Sequence, residues 1–65
     1  MTKMSIIFCD SQGDTRNLGI AIDDCEIREM LIDQGLEMSA IEHLIKHRTW
    51  SDPADLGYRY ELRPA

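Results

Sequence analysis

The stretch MLIDQGLEMSAIEHLIKHRTW, residues 30–50, holds two apolar periodic segments on either side of one glycine. Gly35 suits the left-handed conformation that ends a helix, and Leu36 falls where the residue after such a glycine packs back on Leu31. Ser39-x-x-Glu42 then has the spacing of a capping box, in which serine and glutamate satisfy the free amides of a new helix reciprocally. Ile41, Leu44 and Ile45, joined by Ala40, form the inward stripe of that second helix. The first helix starts upstream in DDCEIREMLIDQG (residues 23–35), where Asp23 or Asp24 can accept the unpaired amides of the opening turn. The stretch is a helical hairpin.

On both sides of the hairpin the period changes from helical to alternating. KMSIIFCD (residues 3–10) is short, rich in β-formers and apolar on both faces, which predicts a central strand. SQGDTRN (residues 11–17) predicts a loop of about seven residues, and LGIAID (residues 18–23) a returning antiparallel strand. In that strand Leu18, Ile20 and Ile22 share one face, Gly19 and Ala21 the other. WSDPADLG (residues 50–57) predicts a turn, with Asp52 before Pro53 and one helical turn closed by Gly57. YRYELRP (residues 58–64) alternates again: Tyr58, Tyr60 and Leu62 point one way, and Arg59, Glu61 and Arg63 meet water. Its charges and Pro64 suit a sheet edge. The order ββααβ predicts an α+β two-layer sandwich, a three-stranded antiparallel sheet with the helical hairpin packed on one face, as a single domain over residues 1–65.

A chain of 65 residues buries only about 60% of its unfolded surface, so its core is marginal and a partner or staple would help. Cys9 and Cys25 are the only cysteines, too few for a disulfide framework. The longest apolar run, Ile6-Ile7-Phe8-Cys9, is far below the ~20 residues of a membrane span. Residues 1–13 lack the apolar core of a signal peptide. A cytoplasmic protein with reduced thiols, no cofactor and no membrane contact is expected.

The net charge of −5 is concentrated in residues 23–42. There Asp23, Asp24, Glu26, Glu29, Asp33, Glu37 and Glu42 face Arg28 alone. On a helical wheel Ile27, Met30, Leu31 and Gln34 point at the sheet, while Glu26, Glu29 and Asp33 occupy a sector about 60° wide to one side. Ile32 falls nearly opposite the core stripe, an apolar residue among charges. Asp24, Glu26, Glu29, Ile32, Asp33 and Glu37 therefore form the candidate partner-binding set. Spaced carboxylates on a rigid helix imitate phosphates and draw a basic surface. The expected function is a small interaction module that regulates or inhibits a larger basic protein, such as one whose groove otherwise holds nucleic acid. Exposed Ile32 and the short core also make a homodimer an expectation.

Three other chemistries meet obstacles. A helix-turn-helix DNA reader would use Lys46 and Arg48, but Leu31 stands where a small residue usually lets the helices approach, and the acids of the first helix would face phosphates. A zinc staple from Cys9, Cys25, His43 and His47 has an i, i+4 histidine pair but lacks the short cysteine knuckle. The oxygen-rich DSQGDTRN lacks the alternating acids and terminal glutamate of a calcium loop. Catalysis by Cys25 or Ser39 with a histidine base is not expected, because acids surround the thiol and the serine is in place to cap a helix.

Overall fold

The computed structural model describes residues 3–54 and 57–65. The chain runs β1 (Met4–Cys9), β2 (Thr15–Ala21), α1 (Asp24–Asp33), α2 (Met38–His47), β3 (Thr49–Ser51) and β4 (Arg59–Pro64). The strands make one antiparallel sheet in the order β2-β1-β4-β3, and both helices pack on it. The α+β class, the helical hairpin and the central place of β1 agree with the sequence. The three-stranded sheet does not, because residues 49–51 add a fourth strand. That strand follows from Arg48, which adopts φ 66° and reverses the chain as α2 ends. The Leu62 amide donates to the Arg48 carbonyl at 2.9 Å, which docks the new strand beside β4. β4 is thus flanked by β1 and β3 from Arg59 to Glu61 and is no edge there. Its charges satisfy one another: Glu61 lies between Arg59, at 3.2 Å, and Arg63. Asp55 and Leu56 of the expected helical turn lie outside the described residues.

The first hairpin is tighter than expected. Asp10 Oδ1 accepts the amides of Gln12 and Asp14 at 2.9 and 3.0 Å, and Gly13 takes φ 86°. The strands therefore close over residues 10–14, and Thr15 to Asn17 join β2. This also explains the oxygen-rich loop, since Asp10 builds a turn with its own backbone.

Leu18 does not share a face with Ile20 and Ile22, and a bulge is the cause. Ile6 pairs with Gly19, but Ile7 pairs with Asn17, so Leu18 is an extra residue. Leu18 tucks toward the core while Ile20 and Ile22 stand exposed at 51% and 49%. Gly19 and Ala21 take the helix side. A Cβ on Gly19, whose φ is 148°, would meet Met30 Cε at 2.5 Å. The Asn17 carboxamide satisfies the Gly19 amide at 2.9 Å. A bulky residue on this face would hold α1 off the sheet.

Both ends of α1 follow from local chemistry. Asp23 caps α1 by accepting the Glu26 amide at 2.8 Å. At the other end the Gly35 amide reaches the Ile32 carbonyl at 2.9 Å and the Leu36 amide reaches the Leu31 carbonyl at 3.2 Å, a Schellman closure. Leu36 packs against the core as expected. Gln34, expected to face the sheet, is the exposed C-cap instead. The predicted capping box is absent: α2 starts at Met38 with Glu37 as its N-cap, and Ser39 lies inside the first turn. Docking of Leu36 starts the helix early, and Arg28 takes the Glu42 carboxylate that a box would need. The core is Met4, Ile6, Ala21, Ile27, Leu31, Ile41, Leu44 and Leu62, where the helices meet the sheet.

Candidate functional site

The acidic layer is built on α1 and the hairpin turn. The burial of Ile27 and Leu31 fixes the rotation of α1, and the opposite side presents Glu29 and Asp33 to solvent. Asp24 and Glu37 are exposed at its two ends. Glu26 is half-buried, so it borders this surface and does not lead it. Ile32 is 52% exposed, as its wheel position requires.

The one cation of α1 pairs across the hairpin and not with Glu29 or Asp33. Arg28 Nε and Nη2 donate to the two oxygens of Glu42 on α2, at 3.0 and 3.1 Å. This fork raises the Arg28 pKa through its hydrogen bond and charge interaction with Glu42. It lowers the Glu42 pKa, chiefly through the same hydrogen bond. The pair is exposed and adds little stability; burial of Ile27, Leu31, Ile41 and Leu44 aligns the helices and brings the two side chains within reach. Counting one turn from Arg28 and back one turn from Glu42 brings Ile32 level with Met38, which is 51% exposed. Among the described residues no salt bridge engages Glu26, Glu29, Asp33 or Glu37. The surface carries exposed Ile32 and Met38 together with Glu29, Asp33 and Glu37, which make no salt bridge among the described residues.

The other sequence candidates separate. Cys9 is buried in β1, with its Sγ 3.8 Å from Arg59 Nη2, whereas Cys25 is exposed at the start of α1. His43 and His47 lie on α2 with ring centroids 4.4 Å apart. No group of three or more potential metal ligands converges among the described residues. Lys46 lies in the last turn of α2, where the helix dipole favours a cation, and Arg48 is the residue that ends the helix. Among the described residues no helix is long and apolar enough to cross a membrane.

One feature escaped the sequence reading. Phe8 of β1, Trp50 of β3, Tyr60 of β4 and Tyr58 just before β4 meet in a row at one end of the sheet. Phe8 stacks on Tyr58 at 5.5 Å and tilts against Tyr60 at 5.1 Å, and Trp50 follows at 6.3 Å from Tyr60. These are all the phenylalanine, tryptophan and tyrosine residues of the chain. They line a cleft of about 780 Å³ whose opposite wall is the hairpin turn and the first half of α2. The alternation of Tyr58 and Tyr60 was visible, but only pairing through β3 brings Trp50 beside them.

The chain matches no protein-family profile, no curated protein and no solved structure.

Proposed function

We propose that this chain is a small, non-catalytic interaction module that binds a larger basic protein through its helical hairpin and regulates or inhibits it in the cytoplasm. The observation that supports this reading is the surface around Ile32. Glu29, Asp33 and Glu37 are exposed there without an ionic partner among the described residues, while the nearest cation serves Glu42. Like charges left this close cost folding stability, and a complementary partner would relieve that cost. A nucleic-acid-binding protein is the partner class whose surface such carboxylates fit. The helix-turn-helix alternative has to present the same acids to phosphate, which opposes binding.

The test is affinity capture from the source cell, repeated with Glu26→Gln, Glu29→Gln and Asp33→Asn combined. The captured partner should be lost with the amides and with rising salt, mainly through a slower on-rate. Replacing Lys46 and Arg48 should leave capture unchanged. Tight duplex DNA binding by the unmodified protein at physiological salt, abolished by that Lys46 and Arg48 replacement, would overturn the reading in favour of DNA.

A further inference from the structure

The aromatic cleft adjoins the acidic hairpin surface at Glu37, has a lining otherwise its own, and has the features of a recognition pocket. Its volume of about 780 Å³ lies within the range of ligand sites and exceeds what one side chain needs. The helices cover the Met4, Ile6 and Leu62 end of the sheet and leave the Phe8, Tyr60 and Trp50 end to this opening. A cluster of half-covered rings brings their electron-rich faces together, and such faces attract cations. The charged lining agrees: it includes Asp52 and Glu37 along with His43, and among the described residues neither lysine nor arginine lines the cleft.

Asp52 is held in place for this role. Its Oδ1 accepts the Ala54 amide at 2.8 Å, and its own amide donates to the Tyr58 carbonyl at 3.2 Å. Asp52 therefore lines the cleft beside Tyr58. Its negative charge also reaches Tyr60, whose phenol pKa is raised by burial first and by Asp52 second. A site with this potential rejects anions, so phosphate groups and nucleic acid are poor occupants. A guanidinium suits it better than an ammonium, because a planar cation stacks on rings and pairs with a carboxylate at its edge.

We propose that the cleft between the hairpin turn and the aromatic row beside Asp52 binds an arginine side chain carried by an extended segment of a partner protein, with its guanidinium on the Trp50–Tyr60 rings and paired with Asp52. The occupant is a basic polypeptide, as in the hairpin reading, but of the acidic set only Glu37 also lines the cleft, so either can fail without the other.

The probe is the peptide acetyl-Gly-Ser-Arg-Ser-Gly-amide, with citrulline in place of arginine as the neutral isostere. Amide chemical shifts of the full chain and fluorescence of Trp50, its single tryptophan, report binding. The arginine peptide should give saturable shifts confined to the cleft and bind about tenfold more tightly than the citrulline peptide, the size of one cation–π contact with a charge-assisted hydrogen bond. Asp52→Asn keeps the Oδ1 bond to Ala54 and should reduce arginine binding to the citrulline level. The Glu29→Gln and Asp33→Asn variant should bind the peptide unchanged. Equal binding of both peptides overturns the proposal, as does an arginine preference that survives Asp52→Asn. So do shifts that map to α1 alone, or none up to about 10 mM peptide, beyond which affinity lacks meaning for a docking site.

Discussion

Leu31 and Leu44 are fully buried where the two helices meet the sheet. Truncating either to alanine should cost about 2–5 kcal/mol, because the neighbours relax only partly into the cavity. For so short a chain that loss is comparable with the whole stability, so thermal melts should show severe destabilisation or no folded state. Near-native melts for both would refute the packing of the hairpin. Tyr60 gives a second residue-scale expectation. Its pKa is raised above the ordinary 10.0, so the folded state prefers the neutral phenol. The stabilisation is fully present below the unfolded value and is lost as pH rises through the folded one. Urea titrations between about pH 9 and 12 should therefore show a falling alkaline arm that Tyr60→Phe flattens. An unchanged arm in that variant would mean that Tyr60 is not the group responsible.

At the scale of elements, the end of α2 controls the topology. Arg48 holds a left-handed φ of 66°, which a residue with a Cβ adopts at a cost of about 1–2 kcal/mol. The Arg48 amide still closes on the Leu44 carbonyl at 2.7 Å, and its carbonyl accepts from Leu62. Arg48→Gly should keep both bonds, relieve the backbone and raise stability by about 0.5–1 kcal/mol in denaturant melts. Arg48→Val should lower it, since β-branching makes this conformation worse. A loss of stability with glycine would show that the Arg48 side chain contributes more than its backbone costs. The pairing of Arg28 with Glu42 belongs to the same scale. Glu42 has a lowered pKa, so the pair persists above the ordinary carboxylate range and is lost as pH falls through the folded value.

At the scale of the whole molecule, the acids lie on the helical layer and Arg59, Glu61 and Arg63 on the open sheet face. Two hairpin surfaces repel each other, so Ile32 is a poor centre for self-association despite its exposure. β2 is better placed: it is an edge strand that carries exposed Ile20, and exposed Ile22 follows it directly. If sedimentation at high protein concentration shows a dimer, Ile20→Lys should dissociate it and Ile32→Lys should leave it intact. A dimer with the reverse response would move the interface to the helices. Monomer at all concentrations would remove the idea that association supplements the core.

Local rules were enough for much of this chain. Asp23 as a cap, Gly35 and Leu36 as a helix stop, the 3.6-residue stripes of both helices and the apolar run of β1 all act within a few residues of themselves, so the hairpin and the α+β class could be read directly. The exposure of Ile32 and of Glu29 and Asp33 followed from the same periodicity. Other features depended on contacts distant along the chain. The bulge at Leu18, the fourth strand after Arg48 and the diversion of Glu42 to Arg28 each hinge on a partner that no local pattern names. The aromatic cleft is the clearest instance. Phe8 and Trp50 are 42 positions apart, and only the strand order β2-β1-β4-β3 brings them to one wall. Side-chain period tells a residue which face to take. Strand pairing, set by the total burial of the sheet and helices, tells it which neighbours it will have there.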